Sequence, residues 1–217
     1  MWIPTAERLR RTGWSVVVCA TSSAPRTWQG VLRSFRTNLP ANRELVLVAH
    51  SNAGLYVPAL AGERHVAAQL FVDAGLPPAD GSTALAPAEF YEFLASRADA
   101  GGLLPPWTQW WEEADVDGLF PSRSARERIE DEQHRLPLAY FRDSLPVPGG
   151  WDDKPSGYLA FGDTYADERQ RAQALGWPVR TLAGRHLHML VEPREVATAI
   201  TQMLASLGLE PTQRTGP

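Results

Sequence analysis

The sequence predicts an α/β fold in which a mostly parallel sheet is flanked by helices and carries a helical lid. Short continuous apolar runs, for example at residues 45–49 and 66–72, are typical of strands buried on both faces. Helical patterns alternate with these strands, which favours parallel pairing. In the middle of the chain the alternation stops, and prolines and aromatic residues accumulate. We therefore expect a core at residues 1–76 and 156–210, a lid insertion at residues 77–155 and a flexible tail at residues 211–217.

The first core segment is predicted to contain three buried strands. Residues 14–19 form one candidate strand because Val16, Val17 and Val18 are continuous rather than alternating with polar residues. Apolar residues from Trp28 to Phe35 recur at spacings of three and four, as on one face of a helix. In chain order, the predicted elements are a helix at 5–11, a strand at 14–19 and a helix that begins at 28 and ends at the helix breaker Pro40. A strand at 45–49, a helix at 53–62 and a strand at 66–72 follow.

The remaining elements belong to the lid and to the second core segment. Lid helices are expected near residues 87–97, 107–114 and 123–134. The second core segment is expected to run through a strand at 158–161, a helix at 167–175, a strand at 178–182 and a final helix at 194–207. Ligands of parallel sheets bind at the carboxyl ends of the strands, so the site is expected there.

Composition excludes several classes of function. The 217 residues have a formal net charge of −4, which gives no basic footprint for nucleic acid or an anionic membrane. Cys19 is the only cysteine, so an intrachain disulfide and a multi-cysteine zinc site are excluded, and we expect it to be inert packing. The start lacks the pattern of a secretory signal, and no apolar run reaches about 20 residues. We expect a cytoplasmic protein with no nucleic-acid or membrane partner.

Ser51 lies directly after a predicted buried strand and directly before a helix, which is the position of the serine in a nucleophile elbow. The sharp turn strains the serine backbone and lifts its hydroxyl above the sheet. Residues two before and two after the serine must be small, because strand and helix cross closely. The usual glycines are here Ala49 and Ala53, with Gly54 one position later. A serine N-cap on an ordinary strand–helix turn is the alternative interpretation.

The order of later candidates along the chain favours the elbow. A serine triad on this kind of fold runs in the order serine, acid, histidine. His186 lies between the last predicted strand and the last helix, where the base is expected, and His188 is treated as a pocket or packing residue. The acid is expected to be Asp163, which follows the strand at 158–161. Asp73, which ends an earlier strand, is ranked second, and Asp167, which also suits a helix N-terminus, is ranked third.

Taken together, residues 45–54, 71–77 and 184–193 resemble the α/β-hydrolase superfamily, in particular small bacterial carboxylesterases and plant esterase/hydroxynitrile-lyase relatives. The resemblance covers most of the chain from Trp2 onward. It implies that Ser51 attacks a carbonyl, that His186 moves the proton and that Asp163 orients the imidazole. It also implies that the backbone N–H of Asn52 binds the oxyanion.

The resemblance also implies a departure from the family. In the family, a strand and a loop that often contains His-Gly precede the helix that begins here near Thr5. That loop supplies the second oxyanion donor, and this chain contains at most its end, residues 1–4. The missing strand would lie between the strands at 14–19 and 45–49. We expect that these two strands close up directly, that another chain fills the gap, or that the start codon is misassigned.

Aromatic residues concentrate in the predicted lid and suit an apolar or aromatic acyl substrate. The same residues could equally form the core of the lid, and Trp110-Trp111 could mark a dimer contact. The residues expected to line the substrate pocket are His50, Asp73, Trp107, Trp110, Trp111, Tyr140 and His188, and further aromatics nearby are Phe90, Tyr91, Phe93, Phe141 and Trp151.

The expected function is a serine hydrolase that cleaves an ester or thioester of a small apolar or aromatic acid, with no metal or organic cofactor. A small-molecule substrate and a possible homodimer are the expected partners. Two alternatives remain open from the sequence: a hydrolase-like binding or partner protein that has lost half of its oxyanion hole, and a cofactor-free lyase on the same fold.

Overall fold

The computed structural model describes residues 1–19 and 26–211. In these ranges the chain forms six strands: β1 (Leu45–Ser51), β2 (Val66–Ala74), β3 (Gly81–Ala84), β4 (Ser144–Val147), β5 (Ser156–Phe161) and β6 (Val179–Leu182). Nine α-helices accompany them: α1 (Ile3–Arg11), α2 (Trp28–Asn38), α3 (Val57–Glu63), α4 (Ala88–Arg97), α5 (Glu113–Asp117), α6 (Arg123–Asp131), α7 (Ala166–Ala174), α8 (His188–Val191) and α9 (Pro193–Ser206). Three 3-10 helices cover Asn52–Tyr56, Trp107–Gln109 and Leu138–Arg142.

A four-stranded parallel sheet in the order β1-β2-β5-β6 forms the centre of the molecule. Successive residues of β2 point to opposite faces, and each face has its own core. Phe71 packs with the cluster that contains α2 and α3, whereas Leu70 and Val72 pack with the cluster that contains α9. Each such fully buried side chain contributes roughly 1.5–3 kcal/mol. The predicted parallel sheet covered by helices on both faces is confirmed.

The predicted strand at residues 14–19 is wrong. These residues have no strand assignment, and β1 has no second strand neighbour within the described residues. The carbonyl of Val16 accepts hydrogen bonds from the Arg10 guanidinium instead of from a ladder, and Val17 is 53% exposed. Continuous valines favour a strand only where neighbouring strands and a covering layer bury them. The two strands therefore do not close up directly here.

The insertion between β2 and β5, residues 77–155, begins and ends on a small antiparallel sheet that the sequence did not indicate. β3 pairs with β4 in the register Gly81 to Val147 and Ala84 to Ser144. Helices α4 and α6 match two predicted lid helices, but the third prediction, residues 107–114, divides into the 3-10 helix at Trp107–Gln109 and the start of α5. Of the predicted tail, only Pro211 lies within the described residues.

No helix in the described part of the chain is long and apolar enough to cross a membrane. Cys19, expected to be inert packing, is half-buried, and burial raises the pKa of its thiol. A thiol with a raised pKa is less reactive.

Candidate active site

Ser51 ends β1 in a strained conformation. Its φ of 55° and ψ of −133° lie in a region that residues other than glycine rarely adopt. The 3-10 helix Asn52–Tyr56 begins at the next residue, so the chain passes from strand to helix without an intervening loop. The close crossing expected of an elbow occurs at Gly54, where an added Cβ would overlap the carbonyl oxygen of Gly75. Ala49 and Ala53 are therefore tolerated, because the glycine is needed one position later.

The imidazole of His186 joins Ser51 to a carboxylate. Ser51 Oγ lies 3.1 Å from His186 Nε2, and His186 Nδ1 lies 2.6 Å from Asp73 Oδ2. Because the carboxylate accepts, Nδ1 carries the imidazole proton, and Nε2 is left to accept the serine proton. The three side chains come from residues 51, 73 and 186, each directly after or close to the end of a parallel strand.

Asp73 is held in place at the end of β2. Its side chain is fully buried, and its φ of 43° is left-handed. The backbone N–H of Phe161 donates to Asp73 Oδ1 at 3.0 Å, which leaves Oδ2 for His186. Tyr158 fixes the next residue, since its hydroxyl donates to the Ala74 carbonyl and accepts from the Ala74 N–H. The carboxylate is thus directed at the imidazole by backbone and side-chain bonds together.

The prediction that Asp163 orients His186 is wrong. The Asp163 side chain is 83% exposed and pairs with Arg169 at 2.9 Å. Asp167, the third-ranked acid, is exposed in the first turn of α7, where its charge suits the helix dipole. The second-ranked acid, Asp73, is the one that the structure places at the imidazole.

Several solved structures are similar to this chain in overall fold. An extracellular α/β-hydrolase from a Paenibacillus species, described as homologous to tobacco Salicylic Acid Binding Protein 2, has a TM-score of 0.69 at 18% identity and covers 93% of this chain and 92% of its own. A polyneuridine aldehyde esterase variant has a TM-score of 0.67 at 15% identity, with the same coverages. A pyrethroid hydrolase, PytH, has a TM-score of 0.67 at 18% identity and covers 94% of this chain and 91% of its own.

The chain has the α/β-hydrolase fold. At these identities the likeness establishes the fold alone. No family model matches the sequence, and no curated protein matches it either.

Asn52, the expected oxyanion residue, is fixed by its side chain. Its amide donates to the Leu85 carbonyl at 3.1 Å, and its Oδ1 accepts from the Tyr140 hydroxyl at 3.0 Å. Tyr56 hydrogen-bonds Tyr140 in turn, and burial raises the pKa of Tyr140 to about 12. The backbone N–H of Asn52 opens a 3-10 helix, where the first N–H groups have no acceptor within the helix. Tyr140, expected to contact substrate, thus has its hydroxyl bonded to Asn52.

The two other histidines near the site have internal partners. His50 Nε2 donates to the backbone carbonyl of His186 at 2.9 Å, and burial holds the pKa of His50 well below its usual value. A neutral His50 therefore supports the loop that carries the base, and Trp2 packs edge-on against its ring. His188 is buried and bonds Glu195 at 2.9 Å, which fits the packing alternative given for it.

His50, Asp73 and His186 also form the one group of metal-ligating type found among the described residues, with donor atoms within 4.8 Å of one another. Asp73 Oδ2 and His186 Nδ1 already bond each other. A metal ion at this position would have to replace that bond.

Tyr165 is the site residue that sequence reasoning missed. Its hydroxyl lies 3.2 Å from Ser51 Oγ, and its ring centroid lies 5.8 Å from that of His186. Tyr165 follows β5 by four residues at the same sheet edge as the triad, so its position along the chain was the available signal.

The predicted aromatic pocket divides into residues near the triad and residues buried in the insertion. Trp107 lies 6.2 Å from the His186 ring, and Trp111 packs against Trp107 and Phe93. Trp110 is 4% exposed, and its indole N–H donates to the Pro105 carbonyl. Trp107 therefore lies beside the triad and Trp111 lies one ring further away, whereas Trp110 belongs to the core of the insertion.

Proposed function

We propose that this protein is a serine hydrolase that cleaves an ester or thioester of a small apolar or aromatic acid. The observation that carries the proposal is the continuous chain of contacts from Ser51 Oγ through His186 to the buried Asp73 carboxylate, with Ser51 in the strained elbow conformation. The strain is retained although it costs of order 1–3 kcal/mol, as is common at catalytic positions. Structural neighbours named as an esterase and as a pyrethroid hydrolase support the reaction class.

In the proposed reaction Ser51 Oγ attacks the carbonyl carbon while its proton passes to His186 Nε2. The Asp73 carboxylate stabilises the imidazolium that results and keeps the ring oriented. His186 then gives the proton to the leaving group, and water repeats the sequence on the acyl-enzyme. The chemistry requires no cofactor.

The oxyanion is proposed to bind the backbone N–H of Asn52. The side-chain bonds of Asn52 to Leu85 and Tyr140 hold that residue rigid, so the donor needs no reorganisation when negative charge develops. The aromatic ring of Trp107 beside His186, with Trp111 packed against it, favours an apolar or aromatic group on the substrate.

A fluorophosphonate probe and a p-nitrophenyl ester series test this proposal. The wild-type chain should gain one covalent probe, mapped to Ser51 by peptide mass, and should release p-nitrophenol. Ser51→Ala should take no probe and should lose more than about 10⁴-fold in kcat. Ser124→Ala, which alters an exposed serine of α6, serves as the control and should behave as wild type.

A wild-type chain that is folded by circular dichroism but takes no probe and cleaves none of the esters contradicts the proposal. That result would favour a binding or partner protein built on the same fold.

A further inference from the structure

We propose that Tyr165 is a further catalytic residue, whose hydroxyl donates a hydrogen bond to Ser51 Oγ and stabilises the charge that develops there when the serine proton leaves. This inference rests on the proposed hydrolase function. It adds to the triad a residue that touches the nucleophilic atom itself.

The direction of the Tyr165 bond follows from counting protons. Ser51 has a single hydroxyl proton, and His186 Nε2, 3.1 Å away, accepts it because Nδ1 donates to Asp73. The oxygen of Ser51 is then the acceptor in its 3.2 Å contact with Tyr165. The phenol therefore donates, and its bond fixes the serine hydroxyl with the proton directed at His186.

The surroundings of Tyr165 keep it a donor. Burial raises the pKa of Tyr165 to about 12, and the nearby carboxylates of Asp73 and Glu168 act in the same direction. A negative phenolate would be unfavourable beside those charges, so the hydroxyl stays protonated over the working range of pH. Tyr165 is thereby excluded as a general base for Ser51.

In the acylation step the bond from Oγ to the carbonyl carbon forms and the π pair moves to the carbonyl oxygen. The Ser51 proton goes to His186, and Tyr165 keeps its own proton throughout. Partial negative charge on Oγ strengthens the phenol bond in the transition state relative to the resting enzyme. In deacylation water attacks the acyl carbon, the bond from that carbon to Oγ breaks, and His186 returns a proton to the departing Oγ. Partial negative charge therefore develops on Oγ again, and the phenol bond assists both half-reactions.

The bond between His186 and Asp73 separates a bond to Oγ from mere packing against His186. A change that disturbs the imidazole also disturbs its Nδ1–H bond to Asp73, and this proton has a low-field NMR resonance that can be observed directly. Tyr165 contacts the ring of His186 as well as Oγ, and Tyr165→Phe keeps the ring while removing only the hydroxyl.

The test measures three rate constants for wild type, Tyr165→Phe and the control Thr164→Val, which removes a hydroxyl from the exposed neighbouring residue. They are the rate constants for fluorophosphonate labelling of Ser51, for the p-nitrophenol burst and for the steady state limited by deacylation. Tyr165→Phe should slow all three by comparable factors, about 10- to 100-fold. The low-field proton resonance of His186 Nδ1–H should keep its wild-type position in Tyr165→Phe, and Thr164→Val should match wild type in every measurement.

A shifted or lost Nδ1–H resonance in Tyr165→Phe would show that Tyr165 acts only through His186 and would overturn the proposal. Unchanged labelling and burst rates in Tyr165→Phe would overturn it too, while leaving the hydrolase function intact. A wild-type chain that takes no label overturns both proposals, so the two failures are distinguishable.

Discussion

The ends of β2 and β5 each present an aspartate at the same edge of one parallel sheet, and the two carboxylates have opposite environments. Asp73 at the end of β2 is fully buried, whereas Asp163 after β5 is 83% exposed and pairs with Arg169. A buried carboxylate needs partners, and Asp73 has them in the N–H of Phe161 and in His186. The difference teaches that the aspartate within its strand, where the neighbouring strand donates to it, carries the acid role, while the aspartate beyond the end of its strand forms a surface ion pair.

Replacing each aspartate by asparagine is expected to have the largest effect on kcat, and only at one of the two positions. In Asp73→Asn, Oδ1 can still accept from Phe161, which turns the amide N–H₂ toward His186 Nδ1. The imidazole must then carry its proton on Nε2 and can no longer accept from Ser51. We expect kcat to fall by about 10⁴-fold.

Asp163→Asn is the matched control in the same steady-state assay of a p-nitrophenyl ester. It removes only an exposed ion pair and should change kcat by less than about twofold. Comparable losses from the two variants would mean that β5 rather than β2 supplies the acid.

The close packing at the end of β2 predicts the next largest effect. Gly54→Ala introduces a methyl group onto the carbonyl oxygen of Gly75, which is backbone and cannot rotate away. We expect the free energy of unfolding to fall by about 3 kcal/mol, at the upper end for overpacking.

Gly62→Ala provides the control within α3, since its Cβ would find only the Pro148 ring at 3.9 Å. Alanine is a better helix former than glycine, so this variant should be neutral or more stable by up to about 1 kcal/mol. Urea unfolding of both variants measures the contrast, and equal stabilities would place the tight crossing elsewhere in the elbow.

Tyr158→Phe tests how Asp73 is held in place. The variant weakens the backbone next to Asp73 and leaves the carboxylate itself unchanged. The variant deprives the Ala74 N–H and carbonyl of the hydroxyl that bonds both. We expect the free energy of unfolding to fall by about 1–3 kcal/mol, together with a loss in kcat smaller than that of Asp73→Asn.

A double-mutant cycle of Tyr158→Phe with Asp73→Asn checks the connection. If Tyr158 acts on catalysis by holding Asp73, its effect on kcat should largely vanish in the Asp73→Asn background, so the two losses should not add. Additive losses would show that Tyr158 stabilises the strand end without directing the carboxylate.

The sequence predicted the strands of the central sheet well where apolar runs are buried on both faces. β1, β2 and β5 fall on apolar runs, and the structure extends each by two residues, whereas β6 is one residue shorter than predicted and only partly buried. The same rule failed at residues 14–19, where the valines have no ladder partner among the described residues. It also gave no sign of the β3–β4 pair, whose strands are short and lie far apart along the chain.

The sequence by itself determined that Ser51 lies at a strand end, because a buried strand followed at once by a helix is a local pattern, and that His186 lies between the last strand and the last helices. Only the tertiary structure decided that Asp73 faces the imidazole, that Gly54 takes the place of the usual elbow glycine and that Tyr165 reaches Ser51. The physical reason is that several strands end at one edge of the sheet with a polar residue. Backbone dihedrals such as the positive φ of Asp73, and hydrogen bonds from neighbouring strands, decide which side chain points inward.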